Sequence, residues 1–472
     1  MTNGNSHKES SALAVVLAAG MGVRMKSNIP KVLHPILGEA MITYVIRALE
    51  QAGAAKIFAV LGHGSEQVEQ ALGDRISPVY QREQLGTGHA LLMALPQLQK
   101  YISEEEGDCL VVCGDTPLLR GETLAEILLM RRRTGAAAIV LTAVLDTPTG
   151  YGRVLKKDGQ VIAIVEERDA DEGQRLEKEI NAGAYCFALK PLSAALEKLS
   201  PANAQGEYYL TDVIAELAAQ GRQVLAYRSP DPDEAWGIND RVQLSQAQDR
   251  LRRRILEQHM LEGVTVEEPT ATIIGPLVKI GKDTVLETGC QIFGQTVIGE
   301  ACVIGPRSRI VDCRIGSGTT VNQSTMSECE TGENCEIGPY AYLRPGCVLD
   351  ESVKAGTFVE MKKAIAASGA KVPHLSYMGD CHIGKKVNIG AGTITCNYDG
   401  KDKFETIIGD SAFIGSNSNL VALVKIGSGA YTAAGSTITH DVPDNALGVA
   451  RGRQANIPDW TKKPADRPPV GH

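Results

Sequence analysis

Two different patterns divide the sequence and together predict an α/β domain followed by an all-β domain. From residue 12 to about 230, apolar runs alternate with stretches of helical periodicity, the mark of a mostly parallel sheet with helices on both faces. From residue 274 onward, aliphatic residues recur every six positions, the signature of a parallel β-helix. Residues 241–262 between them read as one long linker helix. The expected domains are therefore 12–240 and 263–455, with disordered ends at 1–11 and 456–472.

The first strand is the run Ala14-Val15-Val16-Leu17, which breaks into "LAAGMGVRMKSNIPKVLH" with Gly20, Gly22, Arg24, Lys26 and Lys31. The stretch looks like a phosphate loop, but it lacks the Gly-Lys-Ser/Thr ending of a P-loop and the spacing of the dinucleotide fingerprint. Further strands are expected at "KIFAVLG" (56–62), "DCLVVCGD" (108–115), "AAIVLTAVL" (137–145) and "AYCFALK" (184–190), with helices at 40–51 and 121–133. Ligands of such sheets bind outside the carboxyl ends of the strands, which is where the opening loop lies. Its glycines allow a ligand close to the backbone, and Arg24 and Lys31 supply charge to a phosphate chain. A second Gly-rich turn, "QLGTGHA" (84–90), follows "SPVYQ"; Gln81, Gln84 and Thr87 suit a base edge. Asp115 ends a strand where a carboxylate can hold a divalent metal, and Asn239 in "WGIND" offers a second oxygen.

Val242, Leu244, Leu251, Ile255 and Met260 give the linker helix an imperfect apolar stripe. Arg250, Arg252, Arg253 and Arg254 read as the solvated side of a connecting helix rather than a polyanion patch.

The hexads begin with Ile274, Ile280, Leu286, Ile292, Ile298, Ile304 and Ile310, several followed by Gly (275, 281, 299, 305). After an irregular middle they return at Ile383 and Ile389, then at Ile408, Ile414, Leu420, Ile426 and Ile438, with Thr432 in the weak slot. Three hexads close a triangular coil whose aliphatic residues point inward, which accounts for 49 Gly beside only 4% aromatics. The rhythm breaks at 358–380 and 396–406, where Lys362, His374, Tyr377, Asn397, Tyr398 and Lys403 gather. Breaks of this kind carry function. His374, beside Tyr377, is the candidate general base for an amine attacking a thioester.

Composition excludes several classes. A net charge of −8 gives no global basic field for nucleic acid. Eleven Cys without a C-x-x-C pair point to free thiols and a cytoplasmic protein. No apolar run reaches membrane-spanning length. The stretch Ser11–Gly20, with Glu9 before it and Arg24 and Lys26 after it, reads as a buried strand rather than a signal segment.

"LAAGMGVRM…PKVLH", "QLGTGHA", "GDTPL", "TGYGRV", "IVEERDA", "EINAGAY" and "GEYYLTD" resemble the sugar-1-phosphate nucleotidyltransferases. With "FVEMKKA", "HLSYMGD" and "VNIGAGTITCNYDG", the chain from about 12 to 455 resembles the bifunctional bacterial N-acetylglucosamine-1-phosphate uridylyltransferase/glucosamine-1-phosphate N-acetyltransferase family. The resemblance implies a Rossmann-like nucleotidyltransferase domain and a left-handed β-helix assembled as a homotrimer. It places UTP on Leu17, Ala18, Ala19 and Gly20, with Arg24 and Lys31 at the phosphates and Gln81, Gly86 and Thr87 at uracil. Mg²⁺ would lie on Asp115 and Asn239, and the N-acetylated sugar phosphate on Gly152, Glu166, Asn181, Tyr209 and Thr211. In the second half it implies glucosamine-1-phosphate on Arg344, Lys362, Tyr377, Asn388 and Lys403. Asn397 and Tyr398 would lie near the transferred acetyl group, and acetyl-CoA would contact Ala391, Ser416, Ala434 and Arg451 at a site shared between neighbouring solenoids. Val23 and Cys113 depart from the family pattern, where many members have Thr and some have Tyr, respectively. The alternative is a single-activity nucleotidyltransferase whose β-helix serves assembly only. Neither a nucleic-acid nor a membrane partner is expected.

Overall fold

The computed structural model describes residues 12–101 and 107–461. The disorder expected at 1–11 and over 462–472 falls outside the described residues, and 456–461 is exposed chain. The chain divides into two compact units, Met1–Arg254 and Ile255–His472, so the division falls within the helix Arg241–Leu261.

The first unit is built on a twisted sheet. Its main strands are β1 (Ala12–Ala18), β2 (Ala54–Leu61), β3 (Ser77–Tyr80), β4 (Asp108–Cys113), β5 (Ala138–Val144), β6 (Glu179–Ala188) and β7 (Val224–Arg228). They lie in the order β7-β5-β6-β4-β1-β2-β3. β1 is parallel to both neighbours, with Val15 opposite Phe58 and Val111. The period of two sorts its side chains into two cores. Ala14, Val16 and Ala18 pack toward the helices Met41–Gln51 and Gly121–Thr134, while Leu13 and Val15 pack toward the helix Thr87–Leu98. Near-continuous apolar runs are what a sheet covered on both faces requires.

One strand departs from the sequence reading. "AYCFALK" is the end of β6, which starts at Glu179 and runs antiparallel to β4 and β5. The polar "EIN" at its start hid the extra length. Asn181 is drawn to the hairpin Arg153–Lys157/Gln160–Val165, where its N–H donates to the Gly152 carbonyl at 2.9 Å.

The helix Arg241–Leu261 corrects the expected stripe: Val242 and Met260 are exposed, and Ala247, Leu251 and Leu256 are buried. The basic run is also only partly solvated. Arg250 donates to Asp233 at 2.8 Å and lies 4.0 Å from the Trp236 ring. Arg254 reaches Asp231 at 3.2 Å and the Leu118 carbonyl at 2.8 Å. The middle of this helix is thus fastened to the segment that leads into Asn239.

The second unit is a left-handed parallel β-helix. The inward hexad residues are buried from Ile274 to Ile438, Thr432 included. Its middle is regular, contrary to the sequence reading. Ile292 pairs with Ile310, Ile310 with Met326, Met326 with Leu343, Leu343 with Met361 and Met361 with Met378. Met, Ala and Val fill the inward slots there (Met326, Ala355, Met361, Ala366, Val372, Met378), so Ile periodicity fades while the register persists. Residues 358–380 follow the coil as strands joined by short corners rather than a loop, and His374 ends the strand Lys371–His374. Residues 397–405 do project: Ile383 pairs with Ile408 across that loop, and Tyr398 and Lys403 bridge its neck.

Seven of the Cys, from Cys290 to Cys381, are buried inside the coil, where small side chains fill the corners beside the aliphatic column. All eleven are free. The hexad glycines serve close approach: a Cβ on Gly281 would stand 2.7 Å from the Gly299 backbone of the next coil. The left-handed corner residues are mostly not glycine, among them Asp283, Arg307, Tyr340, Phe358 and Leu375.

Two candidate active sites

In the first unit the carboxyl ends of β1 and β4 open on a cavity of about 300 Å³. Leu17, Ala18, Ala19, Gly20, Lys31, Gln81, Gly86, Thr87 and Asp115 line it together with Cys113, Gln84 and Glu207. The opening loop is shaped around Lys31. Gly22 has φ +60°, and a Cβ on it would stand 2.6 Å from Lys31 Cβ, so only glycine lets the loop lie on the lysine stem. The second turn is shaped by residues 207–208. Gly86 has φ +104°, and a Cβ there would meet the Tyr208 carbonyl at 2.6 Å, while the Tyr208 N–H donates to the Leu85 carbonyl at 2.8 Å. Gln84 Nε2 donates to the Ala19 carbonyl at 2.8 Å and ties the two glycine-rich turns together.

Lys31 Nζ forms an ion pair with Asp115 Oδ2 and donates to Asn239 Oδ1 at 2.9 Å. Asn239 is held from behind, its N–H donating to Gln243 Oε1 at 2.7 Å, and the Ile238 N–H donates to the Asp115 carbonyl at 3.0 Å. A carboxylate and an amide oxygen therefore reach one point that a cation occupies. Two hard oxygens suit a divalent ion whose other ligands come from phosphate and water. Among the described residues no group of three or more His, Cys, Asp or Glu forms a fuller cage. Cys113 lies beside this charged set; burial and then the Asp115 carboxylate push its thiol up to about 12, so it remains a thiol.

The residues expected at the sugar form a neighbouring group. Thr211 donates to Glu166 Oε1 at 3.1 Å, a Cβ on Gly152 would stand 3.4 Å from Glu166 Oε2, and Asn181 Nδ2 donates to the Tyr185 hydroxyl at 2.7 Å. Burial raises the Glu166 carboxyl above its ordinary range. The Tyr209 hydroxyl accepts from Gln205 at 2.8 Å. Arg24 is exposed and does not join the cavity wall. It sits on the single turn Val23–Met25, beyond the Gly22 bend.

In the β-helix, register assembles two columns. Lys371 pairs with Asn388, Asn388 with Phe413 and Phe413 with Tyr431. Three residues along, His374, Ala391, Ser416 and Ala434 therefore follow one another on successive coils. The Asn417 N–H donates to the Ala391 carbonyl at 2.7 Å, and the Gly435 N–H to that of Ser416 at 2.8 Å. Arg451 closes the column by donating to the Ala434 carbonyl at 2.8 Å. On the next face Tyr342 pairs with Glu360 and Glu360 with Tyr377, which stacks Arg344 on Lys362. Lys403, from the projecting loop, pushes the Lys362 ammonium below its ordinary range. Arg344 pairs with Glu360 at 2.9 Å and Asn397 with Asp380 at 2.5 Å. A Cβ on Gly379 would meet the Tyr377 hydroxyl at 2.5 Å and Asn397 Nδ2 at 2.7 Å, so this glycine lets the two polar groups converge.

Residue reasoning passed over Glu207, Gln243 and His89. Glu207 lies inside "GEYYLTD" and His89 inside "QLGTGHA", whereas Gln243 carried no signal.

Residues 14–213 match the family model of the MobA-like NTP transferase domain. The chain is 51% identical over 451 residues to the bifunctional protein GlmU of Geobacillus sp. (strain WCH70), covering 95% of this chain and 97% of that one. It is 53% identical over 441 residues to the bifunctional protein GlmU of Heliobacterium modesticaldum, covering 93% and 95%. Against that of Exiguobacterium sp. it is 49% identical over 451 residues, covering 95% and 99%.

Proposed function

From the premise that the chain belongs to the family of bifunctional GlmU proteins, we propose that its two units each carry one transfer reaction on the way to UDP-N-acetylglucosamine. The chain is an enzyme with two activities. The β-helix acetylates glucosamine-1-phosphate with acetyl-CoA, and the first unit joins the N-acetylated product to UMP from UTP, releasing pyrophosphate. The observation that carries this reading is the presence of two separate basic constellations in one chain, one around Lys31 and one around Arg344, Lys362 and Lys403.

In uridylyl transfer a phosphate oxygen of the sugar bonds to the α-phosphorus of UTP as the bond to pyrophosphate breaks. Two anions must meet, so charge neutralisation is the main requirement. Lys31, and Arg24 from the exposed loop, neutralise phosphate charge. Leu17 to Gly20 line the nucleotide's path, and Gln81, Gly86 and Thr87 face its base. Gly152, Glu166, Asn181, Tyr209 and Thr211 hold the sugar. Asp115 and Asn239 would hold Mg²⁺, which when bound supplies Lewis-acid stabilisation to phosphoryl oxygens.

In acetyl transfer the amine of glucosamine-1-phosphate bonds to the thioester carbonyl carbon. The C–S bond breaks and CoA leaves. His374 takes the amine proton. Arg344, Lys362 and Lys403 hold the sugar phosphate with Tyr377 and Asn388, Asn397 and Tyr398 lie near the acetyl group, and Ala391, Ser416, Ala434 and Arg451 line the path of CoA. We further propose a homotrimer that completes this site. Tyr340, Phe358 and Leu375 support it: they stack at one corner beside His374 and are each more than half exposed. Free thiols throughout support a cytoplasmic location, and no helix among the described residues is long and apolar enough to cross a membrane.

The test mixes the full chain with glucosamine-1-phosphate and acetyl-CoA and follows free CoA thiol, then adds UTP and Mg²⁺ and follows pyrophosphate. Sugar-dependent thiol release that falls about a hundredfold or more in His374→Ala, with pyrophosphate release from supplied N-acetylglucosamine-1-phosphate intact, supports both assignments. Absence of thiol release from folded wild type would refute the acetyl-transfer half.

A further inference from the structure

We infer that His89 is a specificity-determining positioning residue of the uridylyl-transfer site: it fixes the Gln81 amide so that its carbonyl oxygen alone meets the base, and thereby selects uracil against cytosine. This rests on the reading of the first cavity as a UTP site.

Gln81 is buried in the cavity wall just beyond β3. Its Nε2 lies 3.1 Å from the Gly86 carbonyl oxygen and 2.9 Å from His89 Nδ1. A primary amide nitrogen has two N–H donors, and a carbonyl can only accept. The Gly86 contact therefore identifies this atom as nitrogen, and its second N–H faces His89. Nδ1 must then carry a lone pair, with the ring proton on Nε2. Both acceptors stand on fixed backbone. Gly86 is pinned against Tyr208, whose N–H is bonded to the Leu85 carbonyl. His89 sits in the first turn of the helix Thr87–Leu98, its ring 6.1 Å from that of Tyr208.

With both donors taken, Oε1 is the amide atom left for a base. Uracil presents N3–H, which donates to it. Cytosine presents a bare N3, which would set acceptor against acceptor. Turning the amide to suit cytosine would break two hydrogen bonds and bring Oε1 against the Gly86 oxygen. Without His89 only one bond opposes the turn, and water entering the vacated space can donate to the rotated oxygen.

The test measures kcat/KM for UTP and CTP with N-acetylglucosamine-1-phosphate in the full chain, comparing wild type with His89→Leu, His89→Asn and His89→Gln. Asn carries an acceptor oxygen near the place of Nδ1, whereas Gln extends its oxygen toward the place of Nε2. His89→Leu should lower the UTP-to-CTP ratio about tenfold, the factor that one neutral hydrogen bond supports, through KM with kcat for UTP within about threefold. His89→Asn should restore the ratio to within about threefold of wild type, and His89→Gln should not. If His89→Leu does not fold, the Asn and Gln pair decides alone. An unchanged ratio in His89→Leu, or equal ratios in Asn and Gln, overturns the role of His89. A wild type that does not distinguish UTP from CTP overturns the UTP reading itself.

Discussion

Gly22→Ala tests whether the opening loop acts by placing Lys31. The new Cβ would stand 2.6 Å from Lys31 Cβ, against the 3.5–4.0 Å or so at which carbon atoms rest. The obstructing atom is the root of the lysine side chain, not its flexible end, so the backbone at Lys31 must yield by about 1 Å and carry the ammonium with it. The left-handed conformation at φ +60° costs an alanine about 1–2 kcal/mol, and the stiffer unfolded chain returns roughly 0.4–1 kcal/mol. Moving the Lys31 backbone adds about 1–3 kcal/mol, so net stability falls by about 1–4 kcal/mol. Activity should fall as well, because a 1 Å misplacement of a catalytic group costs about a hundredfold. Pyrophosphate release from UTP and N-acetylglucosamine-1-phosphate should fall by about that factor, while thiol release from acetyl-CoA in the same sample stays at the wild-type level. Uridylyl transfer within threefold of wild type would refute the claim that Gly22 shapes the site.

Two further substitutions extend the reasoning. Gly379→Ala meets only the far ends of Tyr377 and Asn397, which can swing aside, so melting should hardly move while acetyl transfer falls about tenfold or more; an unchanged thiol-release rate would count against that convergence. Glu234→Gln tests a buried carboxyl that burial raises from 4.5 to about 7, against the pull of Thr123 and Arg120. Because the folded value lies above the unfolded one, its contribution is present below about pH 4.5 and lost as pH rises through 7, a swing on the order of 3 kcal/mol. The variant should therefore gain on wild type by several degrees of melting temperature between pH 5 and 8; parallel melting curves would sink this account.

How much was legible in the sequence follows from which interactions are periodic. β1 could be read because both of its faces are buried, and the hexads because Ile274 to Ile310 fill identical slots. The middle coils could not be read as coils: Met326, Ala355 and Met361 meet the same steric demand with other residue types. Lys31, Gln81, Gln84, Thr87 and Asp115 could be named because their turns follow strands, whereas Leu17, Ala18, Ala19 and Gly86 came from the family resemblance. The pinning of Arg250 and Arg254 could not, since their partners Asp231, Asp233 and Trp236 lie in a non-periodic loop. His89 was in view but silent, because its meaning depends on a hydrogen bond to Gln81 that exists only once the turn has closed.

The β-helix does more than present its loops. Successive coils stack at the strand spacing of about 4.8 Å, so residues at equal positions in neighbouring coils are forced together whatever their charge. Arg344 and Lys362 are such a pair, and Lys403 joins them from the projecting loop. In an isolated loop three cations would spread apart. Here the ladder beneath them, Leu343 on Met361 and Met361 on Met378, fixes where their side chains start. Glu360 pairs with Arg344 and Asp380 with Asn397; the Asp380 carboxylate offsets part of the repulsion on Lys362, and Lys403 outweighs it. The result is the downward push on the Lys362 ammonium, which an anion placed between the two lysines would offset. The same stacking that makes the unit stable thus sets up the charge cluster proposed to hold the sugar phosphate.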